Sequence, residues 1–177
     1  MVSIARLCFP MLHYHAIPIA VKSLLLEISP LLLETSYYLA GGTSVALRYG
    51  HRLSVDLDYF TEQPLEKEII LSLLAEADTV DSSRMLSIKD VAAMKINAIC
   101  NRGSKKDFFD IKVLLKTFTL REMLDFYQKK YVIGNRFMAI RSLVWFEDAD
   151  SEPDPESLDG SSWEAVKNLI LEEVSGL

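Results

Sequence analysis

The chain has 177 residues, half of them hydrophobic, with a formal net charge of −6. That length gives one domain, or a small domain with a helical appendage, and enough apolar residues for a sizeable core. The acidic balance argues against a uniformly basic nucleic-acid-binding surface but leaves room for a local basic cleft, with Arg48, Arg52, Lys95, Arg102, Lys105 and Lys106 as its candidates.

In chain order, Met1 to Leu12 is apolar with one arginine, but no convincing small-residue cleavage site follows, so it does not read as an export signal. No apolar run approaches the roughly 20 residues needed to cross a bilayer. Cys8 and Cys100 lie far apart without metal-ligand spacing; this points away from a disulfide framework and towards a reducing cytoplasm. His13 and His15 read as surface residues. Residues 16–35 predict a helix with Leu24, Leu25, Ile28, Leu31 and Leu32 on its apolar face, kinked or divided at Pro30.

The stretch from Tyr37 to Phe60 carries the strongest signal. A short apolar strand, Tyr37 to Ala40, runs into Gly41-Gly42 and the hydroxyls of Thr43 and Ser44. A short helix with Val45, Ala46, Leu47 and Tyr49 follows, and then an alternating segment, Ser54 to Phe60. In a strand, Ser54, Asp56 and Asp58 would share one face and Val55, Leu57 and Tyr59 the other. Two carboxylates on one face repel each other, and a divalent cation between them removes that penalty. The glycines let a phosphate approach the backbone, and the helix start behind them offers free N–H groups. Asp-x-Asp on an edge strand and a glycine pair in a turn are each common; joined by one short helix they suggest a site for a nucleoside triphosphate.

Further on, residues 65–77 predict a helix, and a short element falls around Met85 to Ile88. Ser87 and Asp90 then open a helix running to about Asn101. Lys95 emerges there among Val91, Ala92, Ala98 and Ile99, and either snorkels to water or points its ammonium into the cleft. Gly103 ends that helix and Ser104 caps the next, on which Asp107 and Asp110 share a face. Asp107 suits a helix first turn electrostatically, whereas Asp110 lies deeper among apolar neighbours. Residues 119–131 and 134–147 predict two helices, the second with Phe137, Ile140, Leu143 and Val144 as its apolar face. Asp148 to Pro155 reads as a solvated acidic loop, and a last helix spans Ser161 to Val174. Trp145, Trp163 and Cys100 read as packing residues.

The run Leu39-Ala40-Gly41-Gly42-Thr43-Ser44, then Leu47-Arg48 and Gly50 through Phe60, resembles the AbiEii/AbiGii toxin family of nucleotidyltransferases. The resemblance resumes at Ala92 to Ile99 and at Asn101 to Ile111. It implies an α/β (α+β) fold, a minimal polymerase β-like nucleotidyltransferase sheet with a helical C-terminal half, divided into a core over 16–88 and a helical region over 89–177. It further implies transfer of a nucleotidyl group from a nucleoside triphosphate to an acceptor hydroxyl, by the toxin of a type IV-like toxin–antitoxin or abortive-infection system. The partners implied are tRNA or another RNA as acceptor, a cognate antitoxin and no membrane, in the cytoplasm. Asp56 and Asp58 would hold Mg²⁺ or Mn²⁺. Gly41, Gly42, Thr43 and Ser44, with Arg52 and Ser54, would receive the nucleotide. Lys95 would neutralise triphosphate charge, and Asp107 or Asp110 would orient or activate the acceptor.

Members of this fold usually draw a third carboxylate from a later strand. Here the interval before the helix at 88 is only about ten residues, with Asp78 and Asp81 as its acids and no period-two strand. The chain thus resembles a shortened member. Two other readings accompany the first: a catalytically degenerate binding module on the same fold, and a transferase acting on a small molecule or a protein.

Overall fold

The computed structural model describes residues 11–33, 35–63 and 85–177. The helix expected over 65–77, the acids Asp78 and Asp81, and Cys8 lie outside the described residues.

A 3-10 turn at Tyr14–Ala16 leads into α1 (Ile19–Leu31). The helix is shorter than the 16–35 expected. Pro18 stands at its N-cap, and Pro30 sits in its last turn, where a missing N–H weakens the ladder. The chain leaves α1 through tighter bonds, from Leu32 N–H to the Ser29 carbonyl (3.2 Å) and from Leu33 N–H to that of Pro30 (3.3 Å).

β1 (Tyr38–Leu39) follows, then α2 (Gly41–Tyr49) and β2 (Tyr59–Phe60). β2 pairs antiparallel with β1, Tyr38 opposite Phe60 and Leu39 opposite Tyr59. On its other side Leu39 makes a parallel bridge with Met85, and Leu86 N–H donates to the Leu39 carbonyl at 2.8 Å. β1 is therefore central in a very small sheet. The strand expected over Ser54 to Phe60 shrinks to its last two residues, because the stretch before them takes its partners elsewhere. Leu53 N–H donates to the Glu156 carbonyl and Ser54 N–H to that of Ala16, both at 2.9 Å, while the Asp56 carbonyl accepts the Thr43 hydroxyl. Val55, on the face opposite the aspartates, is exposed.

The C-terminal half is helical: α3 (Ile88–Asn101), α4 (Lys105–Leu114), α5 (Leu120–Lys130), α6 (Arg136–Leu143), α7 (Glu147–Asp150) and α8 (Trp163–Ser175). Local sequence explains most boundaries. Ser87 Oγ accepts from Asp90 N–H at the start of α3, and Thr119 with Glu122 forms a reciprocal capping box at the start of α5. Asn135 Oδ1 accepts from Phe137 and Met138 N–H, so α6 starts later than expected. It also ends earlier, at Leu143, and α7 runs from Glu147 into the segment expected to be a loop.

α3 lies against α4, α5 and α6. Val91, Ala92, Ile96 and Ile99 on α3 join Phe108, Phe109, Ile111 and Leu114 of α4 in the main core. Each such large side chain contributes roughly 1.5–3 kcal/mol by leaving water. Trp163 is buried there, edge-on to Phe108 and Phe146 and stacked on Phe109. A smaller cluster of Ile17, Leu25, Leu39 and Leu47, with Leu57 and Tyr59 against it, lies under the sheet. α2 joins the two clusters, since Val45 belongs to the first and Leu47 to the second. Two residues apart on a helix is about 200° of rotation, so those side chains point to opposite sides. Phe137, Val144 and Trp145, expected to pack, are exposed.

Between α7 and α8 the chain returns to the N-terminal part as a strap. Besides the Leu53–Glu156 bond, Leu158 N–H donates to the His51 carbonyl at 2.8 Å, and Arg52 pairs antiparallel with Ser157.

Candidate nucleotide site

α2 begins abruptly at Gly41. Its φ of +63° is left-handed, and a Cβ there would collide with the Asp58 carboxylate. A Cβ on Gly42 would collide with Nη2 of Arg52. Both glycines are thus required by close approach, and they set the first N–H groups of α2, which have no partner within the helix, beside Asp58. The Thr43 and Ser44 side chains do not face this opening. Both are fully buried: the Thr43 hydroxyl donates to the Asp56 carbonyl and lies 2.9 Å from Ser54 Oγ, and Ser44 Oγ donates to the Gly41 carbonyl at 3.0 Å. They brace the turn and the aspartate segment.

The opening is a cleft of about 710 Å³. Gly41 and Gly42 form one edge, Ser54, Asp56, Asp58 and Phe60 a second, and Val91, Met94, Lys95 and Ala98 of α3 a wall. Arg102, Lys106 and Glu156 of the strap also line the cleft. The alternation read from the sequence survives the loss of the strand, because Ser54, Asp56 and Asp58 all line the cleft. Of the six cationic candidates, Arg52, Lys95, Arg102 and Lys106 line it. Arg48 is instead buried beneath α2 and donates to the Ser44 and Leu86 carbonyls; Lys105 is tied to the Glu152 carbonyl and Asp154.

Behind the cleft lies a buried ionic lattice. Lys95 is 5% exposed, and its ammonium sits 2.9 Å from Asp107 Oδ1 and 2.7 Å from Asp110 Oδ2. It neither snorkels to water nor stands unneutralised before a triphosphate. Asp110, fully buried, also receives Nε and Nη2 of Arg52 at 2.8 and 2.9 Å and Nε2 of His51 at 2.8 Å. Burial alone would push the Asp110 carboxyl up; Lys95 and Arg52, with the His51 hydrogen bond, outweigh it and hold the group well below the usual carboxylate range. Burial likewise pulls Lys95 down, and Asp110 and Asp107 more than restore it, leaving its pKa raised. Asp107 additionally accepts Arg102 Nε at 3.0 Å. Neither Asp107 nor Asp110 lines the cleft; both hold its cationic wall from behind. In this geometry they act on Lys95 and Arg52, and neither faces the space an acceptor would enter.

Glu156 was missed in the sequence. It lies in an acidic, proline-rich stretch that reads as solvated loop, and only the strap's pairing with residues 51–53 brings it to the cleft. Other acids of that stretch are also engaged: Glu152 Oε2 accepts Ser104 Oγ and Lys105 N–H, both at 2.8 Å, so Glu152 rather than Ser104 caps α4. Among the described residues no three His, Cys, Asp or Glu side chains come together as a metal cluster. The donor set nonetheless suits Mg²⁺, which takes one or two carboxylates and completes its shell with water and substrate phosphates. Asp56 and Asp58 face one cleft, with Asp58 against the glycine edge where phosphates would arrive.

The family model of the nucleotidyl transferase AbiEii toxin of type IV toxin–antitoxin systems matches residues 23–83, which take in the glycine turn and both aspartates. Lys95, Asp107 and Asp110 lie beyond it. An uncharacterized protein of Aquifex aeolicus (strain VF5) is 33% identical over 157 aligned positions, covering 66% of this chain and 76% of the relative. The aligned stretch is longer than the part of this chain it takes in, so the relative carries residues with no counterpart here. No solved structure matches the chain. No helix among the described residues is long and apolar enough to cross a membrane. With its glycine-started helix, paired cleft aspartates and the match to a relative over most of that protein's length, this chain belongs to the AbiEii family of nucleotidyl transferase toxins.

Proposed function

We propose that this chain transfers a nucleotidyl group from a nucleoside triphosphate to an acceptor hydroxyl on RNA, tRNA being one such acceptor, as the toxin of a toxin–antitoxin pair with a cognate antitoxin. The observation that carries the reading is the placement of Asp56 and Asp58 in one cleft with a helix start that only glycine allows, Asp58 directly against it. The N–H groups of Gly42 and Thr43 receive phosphate oxygens at the positive end of α2. Asp56 and Asp58 would hold a divalent cation, Mg²⁺ or Mn²⁺, which when bound supplies Lewis-acid polarisation of the phosphoryl group. Lys95, Arg52 and Arg102 outnumber Asp107 and Asp110 by one, so the locked lattice presents one net positive charge to the phosphoryl oxygens during transfer. The acceptor oxygen bonds to the α-phosphorus, the bond to the bridging oxygen of the β-phosphate breaks, and pyrophosphate leaves past Arg102 and Lys106. The acceptor's proton passes to Glu156, the remaining cleft carboxylate outside the aspartate pair.

A second reading, a nucleotide-binding module without catalysis, draws on the complete engagement of Asp107 and Asp110 by cations. Calorimetric titration of nucleoside triphosphates with Mg²⁺ addresses both. The wild type should bind one or more of them, and Asp56→Ala/Asp58→Ala should not. Absence of binding by the wild type to any nucleotide sinks both readings. Glu156→Gln should keep nucleotide binding and lose most transfer of labelled nucleotide to RNA; transfer undiminished in that variant would remove Glu156 from the mechanism.

A further inference from the structure

A second, smaller cleft of about 230 Å³ adjoins the first. Asn101 and Arg102, at the C-terminal end of α3, line both, so the two clefts share a wall. The small cleft is closed by Met138, Arg141 and Ser142 of α6 and by Trp145 in the turn that follows. Trp145 is 53% exposed although it stands beside a well-formed core containing Trp163. An indole left half in water on the wall of a concave site presents a flat π face at low entropic cost.

Its surroundings favour a nucleobase with a phosphate attached. Arg141 makes no ion pair among the described residues, and its guanidinium lies over the Phe137 ring at 6.0 Å, on the outer side of the same helix. Arg102 keeps more than half of its side chain exposed while bonded to Asp107. Arg102 and Arg141 thus line the small cleft together with Trp145, and Arg102 also lines the transfer cleft. Asp148 is the acid in the cleft; a carboxylate there repels phosphate and accepts from an exocyclic amino group, which adenine, cytosine and guanine carry and uracil lacks. Aromatic stacking with basic flanks is how proteins hold single-stranded nucleic acid. A duplex keeps its bases stacked on one another and cannot offer one to the indole.

We infer that the cleft between α3 and α6 is an acceptor subsite, in which a base of a single-stranded RNA end stacks on Trp145 while its phosphates lie against Arg102 and Arg141. This rests on the transferase reading above and names where its acceptor sits. The chain has two tryptophans, and the other is buried; quenching of the exposed indole therefore reports stacking directly.

The test titrates labelled oligoadenylate and oligocytidylate into the full chain, following indole fluorescence and, separately, anisotropy of the label. Single strands should quench the wild type, and the same strands in duplex should not. Trp145→Phe should bind without the quench, and Trp145→Ala should bind about tenfold more weakly, the size expected for one lost stacked base. Arg141→Ala should weaken binding of all sequences alike and lower the salt dependence by about one ion. Unchanged affinity in Trp145→Ala, or equal quenching by inorganic triphosphate, overturns the proposal. Calorimetry with Mg²⁺ and nucleotide on the same variants separates the two ideas. Trp145→Ala should bind nucleotide as the wild type does. Trp145-dependent oligonucleotide binding by a chain that takes no nucleotide would uphold the subsite and reject the transferase.

Discussion

Gly41 concentrates several demands in one residue: a left-handed φ, a Cα against the Asp58 carboxylate and the first N–H groups of α2. Gly41→Ala should cost about 1–2 kcal/mol from backbone strain alone and should abolish metal-dependent nucleotide binding, because the new methyl group displaces Asp58. Thermal melts and calorimetry read the two effects separately. Asp110→Asn tests the lattice. It leaves Lys95 and Arg52 buried with one carboxylate fewer, and removing one partner from a buried ion pair typically costs about 3–5 kcal/mol. A variant as stable as the wild type in urea would show that the lattice tolerates the loss. The glycines and Asp56/Asp58 were legible in the sequence because each depends on neighbours within a few residues. Asp107 and Asp110 were found by spacing, but their orientation was not. Their partners His51, Arg52 and Lys95 lie on other elements, and no local period encodes which way a buried carboxylate turns. Thr43 and Ser44 were read as phosphate ligands for a similar reason: a hydroxyl after a glycine turn can face either way.

At the scale of elements, the start of α3 was legible from its own cap, Ser87 with Asp90, whereas the caps Thr119 and Asn135 emerge only in the structure. The cap of α4 comes from Glu152, far along the chain, which accepts both Ser104 Oγ and Lys105 N–H. Glu152→Ala should therefore lower stability by about 1 kcal/mol, the usual worth of a cap, seen as a lower Tm with nucleotide binding intact. The strand expected over Ser54 to Phe60 kept Ser54, Asp56 and Asp58 on the cleft and lost its ladder. Alternation marks which side a residue faces, whereas pairing depends on what lies alongside, here a strap too distant in sequence to anticipate.

For the whole molecule, the buried lattice sets the pH range of stability. The folded pKa of Asp110 is depressed, so its contribution is present above the unfolded carboxylate value of about 3.9 and is lost as pH falls below it. Lys95 is raised, so its contribution is complete below about 10.4 and is lost as pH rises through the folded value. Melting temperature should be level between these limits as far as this lattice is concerned and drop at both ends, and Asp110→Asn should flatten the acid limb. The alternative of a steady decline through neutrality would assign the stability to other groups.

The strap also has a consequence in time. His51 and Arg52 are sealed by Ser157 and Leu158, and the carboxylate assigned to the acceptor proton arrives with them. A ribosome working at about 5–20 residues per second needs roughly 5–20 s to pass from one to the other. Through that interval, and while the later residues remain in the exit tunnel, the glycine turn and its aspartates exist without their rim. On the proposed mechanism, a chain whose strap has not yet emerged lacks the carboxylate assigned to the acceptor proton, and a protease that cuts the strap between Pro153 and Leu158 should abolish transfer of labelled nucleotide to RNA without touching a residue of the aspartate pair.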